Sequence, residues 1–141
     1  MKHFILIFGL LFTVSGCSSD DNDIDYGEGL IGTWKLVEVY LSDGGSQSAW
    51  VSVKNGYVYT FKNNGTFTSS RFEECNRGKF EETEHILTLI FDCEEFTAGI
   101  EDPEGTFVEN LKFENNHMIL SPAYMSCVEG CSYKFKKIAS Q

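Results

Sequence analysis

Few side chains in this sequence are placed to move protons or to attack a reaction centre. His3 lies in the apolar start of the chain, and we expect His85 and His117 at hairpin turns, away from any serine or cysteine nucleophile. The adjacent carboxylates of Glu73-Glu74 and Glu94-Glu95 would point to opposite faces of a strand, so they form no acid–base pair. We therefore expect no enzyme activity and no cofactor.

Two segments could bind a metal ion, but neither has a specific ligand spacing. Glu101-Asp102-Pro103-Glu104-Gly105 could hold calcium in an oxygen-rich loop, although it lacks the ordered spacing of an EF-hand. Cys127 and Cys131 form a C-x-x-x-C, which is poor zinc spacing, and no histidine is nearby in sequence. Phosphate loops and dinucleotide turns are absent. We expect no metal site.

Cys17, the first of the five cysteines in the chain, has a different context. A short basic start, Met1-Lys2-His3, precedes the apolar run from Phe4 to Val14, which is too short to span a bilayer. The run ends in Val14-Ser15-Gly16-Cys17, which resembles the bacterial lipobox. We expect residues 1–16 to be a signal peptide and Cys17 to carry a membrane-anchoring lipid. The alternative is a chance cysteine after a signal peptide.

Residues 17–29 are acidic and nearly free of apolar side chains, so they are expected to be a flexible tether. Their placement resembles the acidic surface-export signal of some Gram-negative lipoproteins. That resemblance implies an outer-membrane lipoprotein facing the outside of the cell, and the alternative is a tether facing the periplasm. The net charge of −10 argues against a nucleic-acid partner.

Four cysteines remain in a compartment that permits disulfides. Cys75 and Cys93 are equally distant from Glu84, the expected centre of a hairpin, so we pair them and allow the register to slip by one. This leaves Cys127 and Cys131 as the second pair. Other pairings are possible from sequence alone.

The remaining residues, 30–141, read as one all-β domain. Short strands alternate with turn residues such as Asn63-Asn64-Gly65, and no amphipathic helix is evident. A closed antiparallel barrel of eight to nine strands removes exposed edges. We expect a monomer, with strands at Leu30–Leu41, Ala49–Lys54, Tyr57–Lys62, Thr66–Arg71, Gly78–Glu82, Ile86–Asp92, Thr106–Glu114, Met118–Leu120 and Ser132–Ala139, and a possible short edge at Phe96–Thr97.

Two short motifs resemble those of the lipocalin-like (calycin) domains of small bacterial lipoproteins. They are Leu30-Ile31-Gly32-Thr33-Trp34-Lys35-Leu36 and Phe61-Lys62-Asn63-Asn64-Gly65-Thr66-Phe67. The resemblance implies a lipocalin-like barrel, closed at one end by Gly32 and Trp34, with the stem of Lys134 or Lys136 against the indole ring. Lysine here replaces the arginine that is usual at that place.

A barrel of this size either holds one small ligand or is filled by its own side chains. The first hypothesis is a module that binds a small apolar ligand, for which the candidate pocket residues are Tyr57, Tyr59, Phe61, Phe107, Phe113 and Tyr124. The alternative is a side-chain-filled barrel that acts through its loops on a protein partner, for example as a hydrolase inhibitor. In that case Tyr124, in the Ser121–Cys131 loop, would be the anchor.

Overall fold

The computed structural model describes residues 29–42, 48–124 and 131–140, which form nine β-strands and no helix. The predictions for residues 1–28, including the signal peptide, the lipid on Cys17 and most of the tether, lie outside the described residues. The strands are β1 (Gly32–Ser42), β2 (Ser48–Ser52), β3 (Val58–Phe61), β4 (Thr66–Ser69), β5 (Arg77–Thr83), β6 (Ile86–Phe91), β7 (Thr106–Glu114), β8 (His117–Pro122) and β9 (Ser132–Ala139).

Eight of these strands close into one antiparallel barrel. Around the barrel β1 is followed by β3, β4, β5, β6, β7, β8 and β9, and β9 pairs again with β1. The ninth strand, β2, extends the sheet by pairing with the second half of β1, where Tyr40 is opposite Trp50. The predicted all-β, eight- to nine-stranded antiparallel barrel is therefore confirmed.

Strand β1 bends as it runs along the barrel. Its pairing with β9 shifts register between Thr33 and Trp34 and again between Leu36 and Glu38. Such irregularities bend a strand and redirect its side chains. After the second shift Val39 packs against the core while Glu38 faces outward toward Lys134. This bend explains why apolar residues of β1 occur at both odd and even positions, which would face opposite sides of a regular strand.

Residues with positive φ make the hairpin turns that the sequence predicts. Thr83 pairs with Ile86, so the turn is formed by Glu84, at φ 39°, and His85. Asn115 and Asn116 have φ values of 50° and 60° and connect β7 to β8. Asparagine tolerates this region better than most side chains, as two-residue primed turns require. The short edge predicted at Phe96–Thr97 does not form, because the chain turns there: Glu95 has a φ of 56° and the Phe96 N–H donates to the Cys93 carbonyl.

Aromatic rings fill the middle of the barrel. Tyr59 contacts Phe61, Phe67 and Phe135 at ring-centroid distances of 5.6, 5.9 and 5.7 Å. All four of these rings, and Phe107, have exposures of 0–1%. Edge-to-face and offset contacts at these distances add to the stability from apolar burial. The middle of this barrel is thus a packed core.

A disulfide joins Cys75 to Cys93, with 5.7 Å between their Cα atoms, as predicted. The ladder between β5 and β6 pairs Gly78 with Phe91, so the true register is one residue from the register that was counted around Glu84. The pairing is nevertheless correct, since both cysteines lie just beyond the ladder, where the two chains remain side by side. Cys131 is also disulfide-bonded, whereas Cys127 lies outside the described residues.

Candidate functional site

One end of the barrel is closed around Trp34. The indole Nε1 donates a 2.8 Å hydrogen bond to the carbonyl of Leu30, and the ring of Phe113 lies 5.8 Å from the indole. Gly32 allows the last strand to approach closely, because a Cβ atom there would lie only 2.5 Å from the Ala139 carbonyl oxygen. Phe113, a predicted pocket residue, therefore belongs to the closed end, where it is 40% exposed.

The lysine over Trp34 is Lys137, which corrects the expectation of Lys134 or Lys136. Lys137 Nζ lies 5.2 Å from the Trp34 ring centroid and donates a hydrogen bond to the Gly29 carbonyl at 3.1 Å. Phe135 and Lys137 share the inward face of β9, so the intervening residue points outward. Periodicity alone therefore assigns Lys134 and Lys136 to the outer face.

Lys134 has a different role on that outer face. Its ammonium group lies 4.0 Å from the Trp50 ring centroid and forms an ion pair with Glu38. Trp50 also contacts Tyr40 edge-on, at 5.3 Å between ring centroids. These contacts hold β2 and β9 against β1 from outside the barrel, so Lys134 does not pack on Trp34 at the closed end.

The predicted pocket residues do not line one cavity. Tyr59, Phe61 and Phe107 are fully buried in the packed middle. Tyr57 and Tyr124 are only partly buried and lie at the end opposite Trp34. We call this the open end; it is formed where β4 and β8 finish and β7 begins.

Arg71 lies at the open end, among aromatic rings. Its backbone N–H donates a 2.9 Å hydrogen bond to the Ser69 hydroxyl, a local turn that carries the chain inward after β4. The guanidinium carbon is 4.9 Å from the ring centroids of Phe72 and Phe107 and 5.7 Å from that of Tyr57. Such stacking stabilises a cation that has left bulk water. The guanidinium also donates a long hydrogen bond of 3.4 Å to the hydroxyl of Tyr59.

Glu109 is the acidic partner of Arg71. It follows Phe107 and precedes Leu111 on the inward face of β7, and it is 1% exposed. Its Oε1 is 3.9 Å from Arg71 Nη1, which is an ion-pair distance but too long for a hydrogen bond. Oε2 is buried, and no group of the described residues forms a hydrogen bond with it. A buried carboxylate oxygen without a hydrogen bond destabilises the folded protein.

The charges at the open end are set by burial. Burial raises the pKa of Glu109 to about 7, although the nearby Arg71 acts in the opposite direction. Burial also raises the pKa of Tyr59 to about 12 and raises the pKa of Tyr57 and Tyr124. The three phenols are therefore neutral near pH 7, and the two charged groups are Arg71 and the ionised form of Glu109.

Neither residue of this pair was singled out in the sequence. Glu109 carries a signal that could have revealed it, because it interrupts the apolar alternation of Phe107, Leu111 and Phe113 on one face of a strand. Arg71 carries no such signal, since it is the last residue of the predicted strand and precedes a loop. Only the closed barrel brings β7 and the end of β4 together.

The acidic loop at residues 101–105 uses its central carboxylate internally. Glu101 accepts hydrogen bonds from the backbone N–H groups of Ala98 at 2.8 Å, Gly105 at 3.0 Å and Ile100 at 3.1 Å. Burial would raise the pKa of Glu101, but these backbone hydrogen bonds outweigh it and lower the pKa to about 2. This carboxylate thus organises its own loop and is occupied by protein donors.

The two histidines of the described residues lie at or beside hairpin turns. His85 lies in the turn between β5 and β6, and His117 Nδ1 lies 2.7 Å from the Asn115 carbonyl. Within the described residues no group of three or more His, Cys, Asp and Glu side chains is arranged to hold a metal ion.

A shallow depression of about 310 Å³ on the outer face of β3 and β4 is lined by Val58, Thr60, Thr68, Ser69, Ser70 and Asn76. No part of the chain that the structure describes forms a helix able to span a membrane.

The closed eight-stranded barrel and its tryptophan-capped end define a lipocalin-like architecture. Residues 30–120 match the family described as a lipocalin-like domain, and the chain belongs to that family. This finding confirms the resemblance seen in the two short motifs.

Two solved structures are similar to this chain. A lipocalin-like protein from Bacteroides uniformis is 18% identical, with a TM-score of 0.50 over 77% of this chain and 98% of that chain. An uncharacterized protein from Bacteroides eggerthii is 17% identical, with a TM-score of 0.49 and the same two coverages. The first likeness shows the fold alone. No curated protein matches this sequence at a significant level.

Proposed function

We propose that this chain is a monomeric, non-catalytic binding module that takes a small apolar ligand at the open end of the barrel. One observation carries the proposal: the rings of the middle are fully buried against each other, whereas Tyr57, Phe72 and Tyr124 at the open end are only partly buried. A ligand stacked on these rings would bury more apolar area without displacing the packed core.

Binding to a protein partner through the loop that follows β8 has weaker support. The ring of Tyr124 packs edge-on against Phe107 at a centroid distance of 5.5 Å. A side chain folded onto the barrel in this way offers less area to a protein partner than an exposed anchor would. The same position suits a ring that covers a ligand.

The binding function is tested by titrating the full protein in lipid nanodiscs with 2-naphthamide, a fluorescent aromatic probe, and subtracting the signal of empty nanodiscs. We expect saturable binding of one probe per chain and a loss of about tenfold in affinity for Tyr124→Ala. Tyr40→Ala is the matched control, because that ring contacts Trp50 on the outer face. Equal affinity of the two variants, or no saturable binding, would overturn the proposal.

We also propose that the module is an outer-membrane lipoprotein of a Gram-negative bacterium, anchored by lipid on Cys17 and displayed outside the cell. Support comes from the sequence alone, in the lipobox-like segment and the acidic stretch that follows it. Intact mass after expression in a Gram-negative host should show the lipid, and Cys17→Ser should abolish it. Digestion of intact cells by added protease distinguishes surface display from a domain that faces the periplasm.

A further inference from the structure

We propose that Arg71 and Glu109 form the polar end of the ligand site and select an uncharged head group that combines a hydrogen-bond acceptor with a donor, such as a carboxamide. The inference deepens the proposed function and rests on it. The acceptor would face Arg71, the donor would face Glu109 Oε2, and the apolar body would lie on the surrounding rings.

The first argument is unused hydrogen-bonding capacity. Glu109 Oε2 is buried without a hydrogen bond from the described residues, and Oε1 is 3.9 Å from the guanidinium. Arg71 has five N–H donors; its hydrogen bond to the Tyr59 hydroxyl is long at 3.4 Å, and Tyr124 is its other phenolic partner, which leaves donors of the guanidinium unused. A donor–acceptor head group would satisfy the carboxylate oxygen and the guanidinium together. Well-packed structural ion pairs instead satisfy each other at hydrogen-bond distance.

The second argument is charge. Arg71 and ionised Glu109 sum to zero, and the other titratable groups at this end are phenols: Tyr57 and Tyr59 on or beside β3, Tyr124 after β8 and Tyr133 on β9. An anionic head group would lie beside the Glu109 carboxylate, and a cationic one beside the guanidinium. Either repulsion is strong where water is excluded. A neutral head group avoids both.

The third argument is the surrounding surface. Arg71 is enclosed by the rings of Tyr57, Phe72 and Phe107, and the ring of Tyr124 lies on Phe107. The Arg71 side chain retains 13% exposure and that of Glu109 retains 2%, so a ligand would reach Arg71 first, from the open end, and Glu109 behind it. Flat aromatic walls around a single polar pair suit a compact, ring-containing ligand with one polar group.

The test compares three probes that share a naphthalene body: 2-naphthamide, 2-naphthoate and methyl 2-naphthoate. Their affinities for the full protein in nanodiscs are measured at pH 8, with empty nanodiscs as the blank. The wild type should bind the amide about tenfold more tightly than the ester, which has no donor, and than the anion.

Glu109→Gln is the diagnostic variant, because it keeps the side-chain size and removes the charge. It should bind 2-naphthoate about tenfold more tightly than the wild type does. This gain cannot arise from misfolding. Lowering the pH from 8 to 6 should also strengthen 2-naphthoate binding by the wild type, as Glu109 takes up a proton, and should leave the variant unchanged. Glu114→Gln is the matched control, because Glu114 is an exposed glutamate on the same strand.

The outcomes separate the two proposals. Equal affinities for the three probes, or identical behaviour of Glu109→Gln and Glu114→Gln, would overturn the head-group assignment while leaving the binding function intact. The pair would then be a structural one. No saturable binding of any probe would overturn the binding function and the assignment with it.

Discussion

Lys137 lies over the ring of Trp34, with its ammonium group 5.2 Å from the ring centroid, and it is 7% exposed. The same ammonium group donates to the carbonyl of Gly29, so one side chain joins the last strand to the residues just before the first. Because β1 and β9 meet here, this contact fastens the seam at which the barrel closes.

Lys137→Ala should therefore lower the free energy of unfolding by about 1–2 kcal/mol, through loss of the ring contact and of the hydrogen bond. Lys136→Ala changes the neighbouring exposed lysine of the same strand and should cost less. Urea denaturation followed by tryptophan fluorescence measures both. Equal losses for the two variants would contradict a specific role of Lys137.

The disulfide between Cys75 and Cys93 should contribute about 3 kcal/mol, chiefly by restricting the unfolded chain. The double variant Cys75→Ser/Cys93→Ser should accordingly unfold at a lower urea concentration. The bridge should also appear as a linked peptide pair in a non-reducing proteolytic map, and a map that links either cysteine to another partner would show the assignment to be wrong.

Glu101→Gln should destabilise the fold by about 2 kcal/mol near pH 7, because three backbone N–H groups would lose a charged acceptor. The folded-state pKa is lowered to about 2, so this stabilisation is present above the unfolded-state pKa and is lost as the pH falls toward 2. The difference between wild type and variant should shrink from pH 6 to pH 2. Glu104→Gln, at an exposed position in the same loop, should show no such trend.

The pH dependence of stability should have the opposite sign at Glu109. Its folded-state pKa is raised to about 7, so the folded protein binds a proton more readily than the unfolded chain between about pH 4.5 and 7. Relative to Glu109→Gln, the wild type should lose roughly 3 kcal/mol as the pH rises through this window. Denaturant titrations at pH 4.5, 6 and 8 measure this difference in the free energy of unfolding. A constant difference between the two proteins would refute the raised pKa.

The strands could be predicted because alternation of apolar residues and turn chemistry are local properties. The bounds of β7 and β9 follow from them directly, as do the turns at Glu84 and Asn115-Asn116. The disulfide could be predicted for a related reason, since a hairpin brings together residues equally far from its turn.

The contacts at both ends could not be predicted, because they depend on closure. Periodicity places Lys137 on the inward face of β9, but its position over Trp34 depends on the register in which β9 pairs with β1, and no single segment specifies that register. Arg71 meets Glu109 only because strands from distant parts of the chain share one barrel. The sequence also could not show whether the barrel interior is filled, since the same rings could line a cavity or fill it.

The pairing of the first barrel strand with the last also determines when this protein can fold. Lys134 and Glu38, which pair across the seam, are 96 residues apart in the chain, so β1 must wait for β9 before the ring of strands is complete. Closing such a long loop costs entropy before any contact repays it, which slows folding. A ribosome that has made β1 to β8 but not β9 therefore holds a chain in which β1 and β8 each still have an unpaired edge.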